Sequence, residues 1–233
     1  MQDMMTTLEK AYDYPVDIEF TINFSKDNKM HINLLQCRPL QTKGLEKSME
    51  IPNDIPNDNI FFASNGNFMG GNICQHIDRI VYIDPVEYSK LSETDKYEIA
   101  RTIGKITKLY NNDKEKHLLL MGPGRWGTST ISLGIPVSFS EISNISILCE
   151  RSFNAGGMSP ELSYGSHFFQ DLVEDDIFYA AVFAENEDVI LNEKFIENEK
   201  NIIVEILPEA MKFSDIIKVI EPNGTQIISN VVS

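Results

Sequence analysis

Hydrophobic and polar positions at the start of the chain predict one helix followed by a β-hairpin. Residues 2–12 carry apolar side chains at helical spacing, and Pro15 follows as a stop. Residues 16–24 alternate between apolar and polar side chains, which is the pattern of a strand with one apolar face. The polar segment 25–29 separates this strand from a second extended run, from Met30 to Leu40. We therefore predict a helix and two antiparallel strands within residues 1–42.

Beyond residue 59 the chain alternates between strand and helix signals. Ser92 and Asp95 resemble a capping box in front of a helical pattern that reaches Tyr110. Short apolar runs predict strands at residues 79–84, 117–121, 146–150, 177–183 and 202–206. The pattern is typical of a mixed fold, α/β or α+β, and we place one such domain at residues 60–233. The polar stretch 43–59 contains two Ile-Pro-Asn-Asp copies, and we interpret it as a linker.

The net charge limits the classes of molecule that the protein is expected to bind. The 233 residues include 20 Lys and Arg against 35 Asp and Glu, a net charge of −15. Residues 171–210 alone hold twelve acidic residues against two lysines. Nucleic acids and anionic membrane surfaces need a basic face, so neither is expected as a general partner.

Compartment signals point to the cytoplasm. No apolar run approaches the roughly 20 residues of a membrane-spanning helix, and residues 1–15 lack the pattern of a secretory signal. The three cysteines, Cys37, Cys74 and Cys149, show no spacing typical of disulfide frameworks or zinc sites. We expect a cytoplasmic protein with reduced thiols.

The hairpin carries the first chemical hypothesis. If Asp27 and Asn28 form a two-residue turn, Glu19 lies opposite Gln36 and Asp17 lies opposite Arg38, all on one face. Carboxylate and amide oxygens suit Mg²⁺, and the Arg fork suits phosphate oxygens. The alternative is a solvated sheet face with one Asp–Arg pair, and a longer turn would shift the register.

The same residues resemble a known family. The runs Asp17-Ile18-Glu19 and Leu35-Gln36-Cys37-Arg38-Pro39 are similar to the end of the nucleotide-binding domain in pyruvate phosphate dikinases and phosphoenolpyruvate synthases, which has an ATP-grasp fold. The resemblance implies that Glu19 and Gln36 hold Mg²⁺ on the phosphates of ATP. It also implies that Arg38 contacts the phosphoryl group that is transferred. It covers residues 1–42.

The extent of this resemblance shapes the expected function. In the family, the residues that grip the nucleotide lie upstream of this hairpin, and nothing precedes Met1 here. We therefore expect a C-terminal fragment of an ATP-dependent phosphotransferase, a kinase of the dikinase or synthase type, that binds Mg-ATP weakly or not at all by itself. The phosphoryl acceptor is a small molecule, with pyruvate, phosphate, water and a glycan all left open.

Two further segments are candidate sites. In the run Leu120 to Ser129, the glycine Gly124 and the charge of Arg125 suggest a loop that binds an anion; alternatively, Trp126 fills the core and the loop is structural. His167 follows a Gly-rich segment and is either a phosphoryl acceptor or general base, or a hydrogen-bonded core residue. The loop also supports an alternative function, a non-catalytic module that senses a phosphorylated metabolite.

Overall fold

The chain forms two compact units, Met1–Thr42 and Lys43–Ser233. The structure is a computed structural model, and it describes residues 2–13, 16–39, 52, 55–64, 68–70, 72–110, 116–152, 163, 167–187 and 189–229. Most of the predicted linker, including residues 43–51, lies outside the described residues.

The first unit contains the helix and the two strands that the sequence predicts. Helix α1 spans Gln2–Tyr12, strand β1 spans Val16–Phe24 and strand β2 spans Met30–Pro39. The helix ends where Asp13 adopts a positive φ of 51°, and it lies against β1. These three predictions are confirmed, apart from Leu40, which lies outside the described residues.

The turn between β1 and β2 is one residue longer than predicted. The Ser25 N–H donates to the Lys29 carbonyl oxygen, and the Asn28 N–H donates to the Ser25 carbonyl oxygen, each at 2.9 Å. Asn28 has a φ of 62°, in the left-handed region. A three-residue loop that ends in a left-handed residue is a common hairpin connection. The prediction of a two-residue turn at Asp27 and Asn28 is therefore wrong, because Asn28 tolerates the left-handed conformation that the longer loop needs.

A β-bulge cancels the effect of the longer turn. β1 and β2 shift register by one position at Leu35, which has no counterpart on β1. Beyond this point Glu19 lies opposite Gln36, and Asp17 lies opposite Arg38. The longer loop takes one more residue from the β1 side, and the bulge leaves one residue of β2 unpaired. The two changes offset each other, so the pairs at the open end of the hairpin are those expected from the sequence.

The two faces of the hairpin differ in character. One face carries polar side chains, among them Glu19, Thr21, Asn23, His31, Asn33, Gln36 and Arg38. The other face is apolar and comprises Val16, Ile18, Phe20, Ile22, Phe24, Met30, Ile32, Leu34 and Cys37. Much of this apolar face is exposed, up to 68% for Phe24. Among the described residues of this unit, Val16 alone is buried.

The second unit is built around a mixed sheet. Its strands are β3 (Phe62–Ala63), β4 (Phe68–Met69), β5 (Ile73–His76), β6 (Arg79–Ile83), β7 (Leu118–Pro123), β8 (Arg125–Trp126), β9 (Gly134–Ile135), β10 (Ile147–Arg151), β11 (Phe178–Val182), β12 (Ile190–Leu191), β13 (Ile217–Ile220) and β14 (Gln226–Ser229). Its α-helices are α2 (Pro85–Ser89), α3 (Glu93–Leu109), α4 (Phe139–Ile142), α5 (His167–Glu174), α6 (Glu193–Asn198) and α7 (Ile203–Ile206). Short 3₁₀ helices lie at Asn57–Asn59, Ile131–Leu133 and Pro208–Phe213.

The central sheet has the order β13-β6-β7-β10-β11-β4 among the described strands. β6, β7, β10 and β11 are parallel, and the edge strands β13 and β4 are antiparallel to their neighbours. The parallel strands follow one another across the sheet in chain order, so right-handed crossovers place their connecting helices on one face. The mixed α/β fold class predicted from the sequence is confirmed.

Two apolar clusters cover the two faces of this sheet. On the helical face, Ile103 of α3, Ile142 of α4 and Leu172 of α5 pack in one cluster. On the opposite face, Phe61 and Ile196 pack against strand residues that alternate with those of the first cluster. Both faces of the parallel strands are therefore buried, which explains why these strands are predominantly apolar.

Most element predictions for the second unit agree with the structure. The predicted strands at 79–84, 117–121, 146–150 and 177–183 correspond to β6, β7, β10 and β11 to within two residues. The Ser92 hydroxyl accepts the Asp95 N–H at 3.2 Å and caps α3, which ends at Leu109.

The predicted strand at residues 202–206 is wrong, because this segment contains the helix α7. The Asn201 side chain explains the difference. Its Oδ1 accepts the N–H groups of Ile203 and Val219, at 3.1 and 3.0 Å, and its Nδ2 donates to the carbonyl oxygens of Ser214 and Ile217. Asn201 thus starts a helical turn beside β13, and β13 takes the edge position in the sheet.

Candidate functional site

The polar face of the hairpin brings together the side chains that the sequence singles out. Glu19 and Gln36 lie directly opposite each other, so both point to the same face. Arg38 is two residues from Gln36 on β2 and belongs to this face as well. Glu19 and Arg38 are half-buried and Gln36 is exposed. Asp17 occupies the register position opposite Arg38, but its side chain lies outside the described part of the chain.

This arrangement fits a magnesium ion that is shared with phosphate. Directly opposite residues in an antiparallel pair have Cβ atoms about 4.5–5.5 Å apart, a span over which the oxygens of Glu19 and Gln36 can ligate one ion. Mg²⁺ at nucleotide sites takes one or two protein oxygens and fills its remaining positions with water and phosphate oxygens. Arg38, on the same face, adds the planar donor fork that suits phosphate.

The Gly-rich loop after β7 uses backbone N–H groups within the chain. The Gly124 N–H donates to the Arg151 carbonyl oxygen, and the Trp126 N–H donates to the Glu150 carboxylate, each at 2.9 Å. These two N–H groups are therefore occupied by acceptors of the protein itself. They are not available to a ligand, and the Arg125 side chain beside them is half-buried.

Close packing also characterises this loop. Gly124 has a φ of 65°, and a Cβ atom there would lie 2.3 Å from the Leu133 carbonyl oxygen. Trp126 is buried, and its Nε1–H donates to the Cys149 carbonyl oxygen at 3.2 Å. The contacts agree with the alternative in which Trp126 fills the core and the loop is structural.

Sequence reasoning missed Glu150, a buried carboxylate beside this loop. Its Oε1 accepts the Trp126 N–H at 2.9 Å and the Ser163 hydroxyl. Its Oε2 accepts the Ser163 N–H at 2.9 Å and the Tyr179 hydroxyl at 2.8 Å. Burial raises the pKa of Glu150, although all four donors act in the opposite direction. The available signal was an acidic residue at the end of an apolar strand, just where the parallel strands terminate.

The histidine candidate stays a prediction. His167 begins α5, but its side chain lies outside the described residues, as does the Gly-rich segment 153–162. Whether it accepts a phosphoryl group is therefore not tested by the structure.

A comparison with protein families gives a match to the hairpin region. Residues 1–59 match the family described as pyruvate phosphate dikinase, AMP/ATP-binding domain. This part of the chain is therefore similar to a nucleotide-binding region of that family. Residues 60–233 lie outside the match. No curated protein and no solved structure matches the chain.

Two kinds of feature are absent from the described residues. None of the helices combines the length and apolar character of a bilayer-spanning segment. In the same part of the chain, no group of three or more His, Cys, Asp and Glu residues is placed to hold a metal ion.

Proposed function

We propose that residues 1–42 form the end of a nucleotide-binding domain of the dikinase type and contact Mg-ATP through the polar face of the hairpin. Glu19 and Gln36 hold Mg²⁺, and Arg38 contacts the phosphoryl group. The chain then belongs to an ATP-dependent phosphotransferase, in which residues 43–59 link this region to a separate α/β domain at 60–233. The register that brings Glu19 opposite Gln36 within a matched nucleotide-binding region carries the proposal.

Each side chain has a defined task in this proposal. When bound, Mg²⁺ neutralises phosphate charge and fixes the geometry of the phosphate chain. Glu19 contributes an anionic oxygen and Gln36 a neutral one, so the pair holds the ion without cancelling its charge. Arg38 donates two parallel hydrogen bonds to phosphate oxygens and stabilises the charge on the transferred group.

The apolar face of the hairpin supports the same proposal. Two-stranded hairpins are marginally stable by themselves, and their apolar faces are normally covered. Here Ile22, Phe24 and Met30 are 47%, 68% and 57% exposed. A hairpin that forms one part of a larger nucleotide-binding layer would present such a face to the rest of that layer.

The proposed acceptor rests on the name of the matched family and not on a contact among the described residues. The matched family acts on pyruvate by name, so pyruvate is the first acceptor to test in a phosphoryl-transfer assay. No second function is proposed for the Gly-rich loop, because the N–H groups of Gly124 and Trp126 are already used within the chain.

Phosphorus NMR of ATP in the presence of the chain tests the proposal. The sequence left open weak binding of Mg-ATP and no binding, and the proposal requires weak binding. The β- and γ-phosphate signals of millimolar ATP should therefore broaden when protein and Mg²⁺ are both present. Glu19→Gln should remove the part of this broadening that depends on Mg²⁺. Arg38→Lys keeps the charge but loses the fork, and it should weaken binding about tenfold, the equivalent of about 1.4 kcal/mol.

Glu9→Gln is the matched control, because it removes one carboxylate from the exposed side of α1 in the same unit. It should leave the ATP signals as they are with wild-type protein. The proposal is rejected if wild-type protein leaves the ATP spectrum unchanged, or if Glu19→Gln and Arg38→Lys behave like Glu9→Gln.

A further inference from the structure

Arg151 ends β10 at the carboxyl edge of the four parallel strands. The loops that follow the parallel strands converge beyond this edge, and ligands of α/β sheets are often bound on this side. The Arg151 side chain is 12% exposed, although it carries a full positive charge. A charge with so little contact with water needs hydrogen bonds or ion pairs to replace its hydration.

Only one corner of the Arg151 guanidinium has partners among the described residues. Its Nη1 donates to the Tyr82 hydroxyl at 2.7 Å and to Glu193 Oε1 at 2.5 Å. The Tyr82 hydroxyl in turn donates to the same Glu193 oxygen at 2.9 Å. These three groups form a closed triangle that fixes the orientation of the guanidinium.

The opposite edge of the guanidinium is unpaired. The Nε atom is buried and has no hydrogen-bond partner among the described groups. The Nη2 atom on the same edge donates to none of them either. Buried donors without a partner are rare in folded proteins, because the lost hydrogen bonds to water are not replaced. The Nε–Nη2 edge presents two parallel N–H groups, which match two oxygens of a carboxylate or phosphate.

We propose that the Nε–Nη2 edge of Arg151 binds an oxyanion, a carboxylate or phosphate group of a small molecule, at the carboxyl edge of the sheet. Tyr82 and Glu193 position the guanidinium from its other side. Glu193 is 50% exposed and balances the charge of Arg151 only partly, since its contact is limited to Nη1. The site is independent of the hairpin, so it stands or falls separately from the nucleotide site at Glu19 and Gln36.

Side-chain NMR of the ¹⁵N-labelled full chain tests this site directly. The Nε–Hε signal of Arg151 is assigned by its loss in Arg151→Lys, and the wild type is titrated with inorganic phosphate and, separately, with acetate. We expect a saturable shift of this signal with at least one of the two anions. A response to phosphate alone assigns the site to phosphorylated ligands, and a response to acetate alone assigns it to carboxylates.

Two variants should change the affinity in opposite directions. Arg151→Lys keeps the charge but removes the two-donor edge, so the shift of the neighbouring Ser152 amide should need at least about tenfold more anion. Glu193→Gln removes a competing negative charge and should strengthen binding severalfold. Arg101→Lys, which alters an arginine of α3 that is paired with Glu141, should leave the titration unchanged.

The proposal is overturned if neither anion shifts the Arg151 signal in a saturable way. It is also overturned if Arg151→Lys, folded as judged by its amide spectrum, retains the wild-type affinity. If Glu193→Gln has the wild-type affinity for the anion, the proposal that the Glu193 charge weakens anion binding at Arg151 is wrong.

Discussion

The carboxyl group of Glu150 supplies the Gly-rich loop with a hydrogen-bond acceptor from within the protein. A carboxylate has four lone-pair sites, and in Glu150 all four accept hydrogen bonds from the chain. Each oxygen accepts one backbone N–H, from Trp126 or from Ser163, and one hydroxyl. These four hydrogen bonds hold the loop, the Ser163 backbone and Tyr179 together around Glu150.

We predict that Glu150→Gln destabilises the fold. An amide replaces one oxygen by an NH₂ group, and whichever oxygen is replaced, the NH₂ group faces the N–H of Trp126 or of Ser163. One buried donor then loses its acceptor, so the free energy of unfolding should fall by about 1–3 kcal/mol. Denaturant unfolding measures this, and Glu197→Gln on exposed α6 is the control, expected to change stability by less than about 0.5 kcal/mol.

This loss of stability should depend on pH. Burial raises the pKa of Glu150 in the folded chain, so the folded state binds more protons than the unfolded state in that range. The free energy of unfolding of the wild type therefore decreases as the pH rises from about 4.3, the ordinary value, through the raised pKa. The difference between wild type and Glu150→Gln should be largest below this range and smaller above it. A difference that grows with pH would contradict a raised pKa.

At the scale of the element, the bulge at Leu35 sets the face on which Gln36 and Arg38 lie. The apolar alternation of β2 changes phase after Leu34, and only an extra residue in the strand allows both parts to pair with β1. Without the bulge, a one-residue slip would carry Gln36 to the apolar face. Bulges are frequent beside functional sites, where they aim a side chain.

Two single-residue deletions test this account of the register. Deleting Leu35 should make the ladder regular and leave Glu19 opposite Gln36. Deleting Cys37 should break one of two pairs, either Glu19 with Gln36 or Asp17 with Arg38. Without Cys37, Gln36 and Arg38 are adjacent and cannot both face these partners. Cross-strand nuclear Overhauser effects between backbone protons measure the pairing. The account is contradicted if the Leu35 deletion separates Glu19 from Gln36, or if the Cys37 deletion keeps both pairs.

Long patterned segments were predictable from the sequence, and short ones were not. β1, β2, α3 and the four parallel strands each contain enough apolar positions to define a period. Edge strands such as β4 and β12 have two residues each, and they exist because distant strands, β11 and β3, offer partners. The segment of α7 is too short for its period to separate helix from strand, and the Asn201 side chain decides its form.

The hairpin site and the site at the end of β10 also differed in how far the sequence predicts them. The pairing of Glu19 with Gln36 could be predicted because both lie on long patterned strands, and because the bulge at Leu35 offset the error in the assumed turn. Glu150 and Arg151 were missed because their partners, Ser163 and Glu193, are far along the chain. Sequence alone does not show which loop returns to the end of a buried strand.

At the scale of the whole molecule, the two units differ in their cores. The second unit buries two apolar clusters on the faces of one sheet, whereas Val16 alone is buried among the described residues of the first unit. The acidic residues are also distributed unevenly along the chain, because the acidic segment 171–210 lies in the second unit. Metal ions without nucleotide should therefore collect along that acidic segment, and a metal that carries ATP should prefer the hairpin.

Paramagnetic broadening of the ¹⁵N-labelled chain by Mn²⁺ bound to ATP, with Mn²⁺ standing in for Mg²⁺, tests the nucleotide site at Glu19 and Gln36. We expect broadening of the amide signals around these two residues that requires ATP and disappears in Glu19→Gln. Signals from residues 171–210 should respond to Mn²⁺ without ATP and should not change in that variant. Broadening confined to the acidic segment, or broadening of the hairpin that persists in Glu19→Gln, would contradict the nucleotide site.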